Sequence, residues 1–289
     1  MTPILPLDSA AVFFDGQYSS PRLHHPECVA IGPDGAIWCG NAEGDIVRIE
    51  RDGGAATRVA STGGFTLGLA FDGAGQLYAC DQRSAAVWRL DPASGALHRF
   101  TSPGIRIPNY PVVDAARGCL YVSDSFAGDT AGPGVWRYDL GTGTGELWWS
   151  ESMRFANGMA LAHDGVALFV VETFSHKVSR IAIGADGLPA GRTDCVTGID
   201  GLPDAIALDD AGTLYVSLYR PSRILRVCAY GKPEIYAEDP TDRVLCHPTN
   251  IAFDGRDFYT ANLGRWHITR LTSDSYGTPL ARRTLETVR

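Results

Sequence analysis

Two carboxylates, Glu27 and Asp204, and two amides, Asn109 and Asn157, each stand just ahead of a short apolar run. Taken singly they are ordinary, because Asp and Asn are common turn formers and often satisfy loose backbone groups. As a set they are hard oxygen donors, and a Ca²⁺ ion takes roughly six to eight such oxygens, some from water. A divalent cation held this way can polarise a carbonyl or phosphoryl oxygen and activate water. No Cys accompanies the four, and the only nearby His are His24, His25 and His247, which argues against a structural zinc site. No Gly-x-Ser-x-Gly segment is present to supply a serine nucleophile.

An internal repeat is what would bring residues so far apart in the chain together. Ile46-Val47-Arg48-Ile49, Val87-Trp88-Arg89-Leu90, Val135-Trp136-Arg137-Tyr138, Val178-Ser179-Arg180-Ile181, Ile224-Leu225-Arg226-Val227 and Ile268-Thr269-Arg270-Leu271 share one pattern. Ahead of each lies an aromatic in a β-branched run (Trp38, Tyr78, Tyr121, Phe169, Tyr215, Tyr259), and Asp34-Gly35, Asp72-Gly73 and Asp164-Gly165 mark turns. This is the grammar of strand, turn and strand. Fourth strands fit Thr57–Ala60, Leu97–Phe100, Gly145–Trp149 and Glu234–Ala237, and no long helical period is visible. Six such units predict an all-β fold, a six-bladed β-propeller with four antiparallel strands per blade. The repeats run from about 24 to 271 and leave no room for a second core, so residues 1–289 read as a single domain. The last repeat lacks a clean fourth strand, and residues 11–14 are expected to supply it and close the ring, which protects the edges.

In such a ring the innermost strands line a central channel. Counting back from each aromatic gives Glu27, Leu67, Asn109, Asn157, Asp204 and Thr249, one per blade, expected just before the innermost strands and at one height on the axis. This column breaks the repeat chemically, as a functional site should. The arginine column obeys it, and is expected to make inter-blade hydrogen bonds or a solvated face. A second column, Asn41, Asp81, Asp124, Glu172, Leu218 and Asn262, ends the second strands on the same face. Turn chemistry accounts for most of it, with supporting or substrate roles open for Asp124 and Glu172. The blade-3 insertion, residues 125–134, belongs to that face and is a candidate lid.

The net charge of −8 speaks against nucleic acid or an anionic membrane as partner. The seven cysteines include no Cys-x-x-Cys pair, and Cys28, Cys39, Cys80, Cys119 and Cys228 fall in predicted strands as reduced apolar residues. The first residues lack the charge and apolar run of a signal peptide, so a cytoplasmic protein is expected. A small-molecule substrate and a monomer or weak homodimer complete the reading.

Pro26-Glu27-Cys28, Pro108-Asn109-Tyr110, Phe155-Ala156-Asn157-Gly158-Met159-Ala160 and Leu202-Pro203-Asp204-Ala205-Ile206 carry a resemblance. With these segments in order and one per blade, the chain resembles the regucalcin/gluconolactonase (senescence marker protein) family of six-bladed propellers over nearly its whole length. The resemblance implies a metal-dependent lactonase with one divalent cation, Ca²⁺ first and Zn²⁺, Mn²⁺ or Mg²⁺ as substitutes, on Glu27, Asn157 and Asp204. It implies that Asn109 contacts substrate or completes the metal shell, and that Arg106 binds substrate hydroxyls. Asp204 or Glu27 is the candidate general base, with His247 or His25 in its place if either reaches the pocket. The chain departs from the family pattern at Cys28-Val29 after the Glu and at Tyr110 after the Asn. Tyr110, with Phe65, Phe126, Phe155 and Trp266 near the mouth, points to a less polar substrate. Two alternatives share the site: organophosphate ester hydrolysis, and a non-catalytic calcium- or ligand-binding propeller.

Overall fold

The computed structural model describes residues 2–128, 130–228 and 231–277. These fold into six sheets of four antiparallel strands each, arranged as blades. The innermost strands are Cys28–Ile31, Thr66–Phe71, Pro108–Asp114, Ala156–Leu161, Leu202–Leu208 and Pro248–Asp254. Helix among the described residues is limited to short 3₁₀ turns such as Leu7–Ser9 and Thr173–Ser175.

The expected fourth strands are present, as Ala56–Ser61, Ala96–Arg99, Gly145–Met153 and Glu234–Glu238, and blade 4 adds Pro189–Val196. Ring closure follows the sequence expectation. Ala10–Asp15 is the outermost strand of blade 6, paired antiparallel with His267–Thr272.

Apolar packing lies between blades. Each of the six hydrophobic clusters joins two neighbours: Phe169 and Val171 of blade 4 pack on Val216 and Leu218 of blade 5, and Val29 and Ile37 of blade 1 on Tyr259 and Ile268 of blade 6. Second strands are covered on both faces, so Ala167–Glu172 and Cys119–Asp124 are buried throughout, whereas the outer Ala96–Arg99 is largely open. That is why the second strands read as unbroken apolar runs rather than as alternation.

The arginine column behaves as a structural feature. Arg48 pairs with Asp34 at 2.6 Å within its blade, Arg226 reaches from blade 5 to Asp274 at 3.2 Å, and Arg89 lies over the Phe100 ring. Described cysteines are all free, and Cys228, expected in a strand, lies one residue past Arg223–Val227 and is exposed. No helix among the described residues is long and apolar enough to cross a membrane.

Candidate metal centre

The heads of the six innermost strands close around a cavity of about 330 Å³. Glu27, Leu67, Asn109, Asn157, Asp204 and Thr249 all line it, so the column read from the sequence meets at one place. Their position in the strands differs from expectation. Only Glu27 precedes its strand; Leu67, Asn109, Asn157 and Thr249 are second residues and Asp204 a third. In those five strands the ladder slips where the ring residue sits: between Thr66 and Leu69, Pro108 and Pro111, Ala156 and Met159, Pro203 and Ile206, and Pro248 and Asn250. An interrupted ladder bends the strand and re-aims a side chain, here toward the axis.

Close approach of neighbouring strands tightens the ring. A Cβ on Gly158 would fall 2.3 Å from the Ala205 Cα and 2.9 Å from the Asp204 carbonyl oxygen. Glycine after Asn157 therefore lets the inner strands of blades 4 and 5 touch backbone to backbone, which sets Asn157 beside Asp204.

Both amides are anchored by the same device. Asn109 Nδ2 donates to Ser125 Oγ at 3.0 Å, and Ser125 Oγ donates to the Ala156 carbonyl of the next blade at 2.8 Å. Asn157 Nδ2 donates to Thr173 Oγ1 at 3.1 Å, and Thr173 Oγ1 donates to the Pro203 carbonyl of the next blade at 2.7 Å. Each hydroxyl takes up an amide N–H and is itself fixed by a neighbouring blade. Thr249 Oγ1 makes a third such stitch, donating to the Glu27 carbonyl at 2.8 Å. Sequence reasoning missed Ser125 and Thr173. Their signal is a hydroxyl directly after Asp124 and Glu172, in the two blades whose ring residue is Asn.

The ring is electrostatically unbalanced. Burial raises the Glu27 carboxyl to about 7, with a hydrogen bond to Thr249 pulling the other way. Burial, and then the neighbouring Glu27 charge, push Asp204 well above the usual carboxylate range, opposed by a hydrogen bond with Asn157. Among the described residues the lining includes no Lys, Arg or His. Two facing carboxylates without a counter-charge must protonate or share a cation. Carboxylate and anchored amide oxygens are the donors that a hard divalent cation prefers, so the residues present fit such an ion.

Other expected site residues lie elsewhere. Arg106 is exposed; its backbone N–H donates to Asp124 Oδ2 at 3.0 Å and its guanidinium lies 4.2 Å from the Phe126 ring centroid. It is not among the residues around the cavity. Tyr110 is one residue further along the inner strand than Asn109 and lines a different cavity, also of about 330 Å³, lower in the channel. There its side chain meets Asn250, and burial lifts its hydroxyl to about 12. The sequence-based assignment of Arg106 and Tyr110 as substrate contacts is therefore not met by their placement. Neither His247 nor His25 lines the site: His247 packs edge-on against Tyr219 at 4.8 Å, and His25 against Trp266 at 4.9 Å. Phe65 and Phe155 do form walls, whereas Phe126 and Trp266 do not.

The second column is structural. Asp124 accepts from the backbone N–H groups of Arg106, Ile107 and Phe126 and from the Trp136 indole. Glu172 is 2% exposed and engaged by Ser175, Ser179, Lys177 and Arg192. Of the insertion at 125–134, Gly132–Asp139 is strand, Gly128 reaches the cavity, and residue 129 lies outside the described residues.

A family model described as the SMP-30/gluconolactonase/LRE-like region matches residues 37–262, and a strictosidine synthase-like N-terminal model matches residues 17–49. Lactonase drp35 of Staphylococcus aureus is 36% identical over 88 residues, 29% of this chain and 27% of that protein. The match thus spans about a quarter of the relative's length. A gluconolactonase from Xanthomonas campestris superposes with a TM-score of 0.75 at 20% identity, over 91% of this chain and 89% of its own. A calcium-binding regucalcin from Agrobacterium tumefaciens gives 0.75 at 18% identity, over 98% and 100%. At these identities the structural matches speak for the fold.

Proposed function

Because the chain belongs to the SMP-30/gluconolactonase/LRE-like family, we propose that it is a divalent-metal-dependent hydrolase that opens a small lactone or a related ester. One observation carries the reading: two half-buried carboxylates, raised by desolvation, and two anchored amides meet in a cavity whose described lining has no cationic side chain. Glu27, Asn157 and Asp204, with Asn109 beside them, would hold the cation, with Ca²⁺ preferred and Zn²⁺, Mn²⁺ or Mg²⁺ as alternatives. When bound, such an ion supplies Lewis-acid polarisation of a carbonyl and charge stabilisation for an oxyanion.

The chain's own residues do the rest. Ser125 and Thr173 fix the orientation of the two amides. The walls hold the lactone ring and exclude bulk water, which strengthens every charge interaction at the floor. Asp204, in the floor beside Asn157, is the candidate proton acceptor for the attacking water, and a bound cation would keep it in the charged form that a base needs. Water forms a bond to the carbonyl carbon, the ring C–O bond breaks, and the leaving oxygen takes a proton. The product is a hydroxy acid that releases one proton at neutral pH.

That proton is the assay. Protein stripped with EDTA is given a panel of lactones in a pH indicator, with Ca²⁺, Zn²⁺, Mn²⁺ or Mg²⁺ added back singly. Turnover should vanish on stripping and return with a metal. If a metal raises the melting temperature yet restores no turnover on any lactone or ester, the site is a binding site and the hydrolase reading fails.

A further inference from the structure

We propose that the site selects a lactone carrying an apolar alkyl or aryl substituent over a polyhydroxylated sugar lactone; the reaction rests on the hydrolase reading above, the selectivity on the cavity walls. Above the oxygen floor, the walls are Phe65 and Leu67 from blade 2, Ile107 leading into blade 3, Phe155 leading into blade 4, and Leu263 from blade 6. Gln82 and Tyr219 are the polar side chains among them. Sugar hydroxyls entering such walls leave water without gaining partners, and an unpaired buried hydroxyl is costly.

The floor does not make good that loss. Asn109 and Asn157 each give an amide N–H to Ser125 or Thr173, Asn157 also bonds Asp204, and the Thr249 hydroxyl is given to the Glu27 carbonyl. What faces the cavity from the ring is chiefly acceptor oxygen, and a bound cation would claim it ahead of a polyol's hydroxyls. Arg106, the side chain best able to grip several hydroxyls, is held off by Asp124 and Phe126. Phe155 is set in the wall by a left-handed backbone, φ 61°, and by edge-on packing with Phe174 at 5.2 Å. At about 330 Å³ the space lies near the small end of ligand pockets, roughly 300–1,000 Å³. It therefore admits a lactone ring with a short substituent.

The test uses the full metal-loaded chain and three δ-lactones: unsubstituted, butyl-substituted and fully hydroxylated. The butyl lactone should exceed the unsubstituted one in kcat/KM by about tenfold or more, the low end for added methylenes in an apolar pocket, and the hydroxylated one should be slowest. Calorimetry with the matching lactams, which resist hydrolysis, reads binding alone. The butyl lactam should bind more tightly than the hydroxylated lactam. If no lactone turns over but this order of binding holds, the hydrolase reading falls and the apolar site stands. A preference for the hydroxylated compound in either assay, or no binding by either lactam, overturns the proposal. Phe65→Asn and Leu263→Asn should each narrow the butyl preference by about fivefold while metal affinity stays unchanged. An unaltered preference in both overturns the assignment of the walls.

Discussion

The two faces of the ring are turned by different residues. On the face away from the metal centre, first and second strands are joined through left-handed glycines such as Gly35, Gly75, Gly165, Gly212 and Gly255, and third and fourth strands through Gly53, Gly95, Gly143 and Gly187. On the face of the candidate metal centre, glycines such as Gly44, Gly63, Gly104 and Gly198 share the left-handed positions with residues that carry side chains. His25, Ala85, Phe126, Phe155, His176, Asp242, His247 and Trp266 all fall there, and these are the non-glycine residues of positive φ among those described. Glycine takes that conformation without penalty, whereas any other residue gives up roughly 1–3 kcal/mol. One face is built for economy of folding and repeats itself. The other also accepts strain at side chains, and one of them, Phe155, is thereby set in the cavity wall.

The carboxylates divide by setting, turn against ring, since Asp239 in a turn on the candidate-site face is lowered as well. On the glycine face, hydrogen bonds from Arg48 and the Ala36 N–H outweigh burial and hold Asp34 below its ordinary value, and hydrogen bonds from Thr142 do the same for Asp139. On the metal-centre face, burial holds Glu27 and Asp204 above theirs. Turn carboxylates are placed to be charged, and ring carboxylates are placed where charge needs company.

Substitutions at the ring should break this contrast most severely. Asp204→Ala or Asn157→Ala is expected to abolish metal binding by calorimetry and turnover in the indicator assay, with the circular dichroism spectrum kept; normal turnover in either would remove the site assignment. Next come the anchoring hydroxyls. Thr173→Val and Ser125→Ala should weaken metal affinity by about 10–100-fold, the usual cost of losing a group that orients a ligand. Thr173→Ser and Ser125→Thr should restore it. Equal affinity in the valine and serine variants of Thr173 would mean that the hydroxyl serves the backbone alone.

A pH series sharpens the comparison. A carboxyl whose pKa is higher folded than unfolded stabilises the fold below the unfolded value and loses that contribution as pH rises through the folded one. For Glu27 the window runs from 4.5 to about 7, so the metal-free protein should lose melting temperature across it, and added cation should reverse the loss. Asp34 and Asp139 are lowered, so their contribution is present above the ordinary carboxylate range and fades as pH falls through their folded values, with or without metal. A metal-independent melting curve between pH 5 and 7 would contradict the placing of Glu27. The smallest effects belong to residues away from the metal centre. Tyr110→Phe gives up its contact with Asn250 and should cost about 1 kcal/mol of stability, and Arg89→Ala a similar amount or less. Both should leave metal affinity unchanged.

The ring itself was legible because a repeat gives every residue five equivalents, so Glu27, Asn109, Asn157 and Asp204 stood out as a column. The closing strand was legible as an apolar run without a repeat beside a repeat without a fourth strand. The slipped ladders were not, since a bulge shifts a strand's register without a fixed residue type; that is why the column lies inside the strands. Ser125 and Thr173 stayed hidden because a single hydroxyl after a turn residue looks the same whether it caps a turn or ties two blades. Arg106 came from the family resemblance, and Tyr110 from its place directly after Asn109. Backbone geometry decides otherwise: Asp124 pins the chain at Arg106, and one further step along the inner strand drops Tyr110 below the ring.

Blade 6 also sets a clock. Its outer strand pairs Ala10 with Leu271 and Asp15 with His267, contacts that span nearly the whole described chain. At about 5–20 residues per second of synthesis, the first strand waits on the order of tens of seconds for its partner. Thr249, which ties blade 6 to the Glu27 carbonyl, is made in that last interval. The donor ring is thus among the final features to mature, and a cation that recognises it recognises only the closed propeller. Binding of the proposed cation would then act as a latch, drawing the population toward closure by mass action.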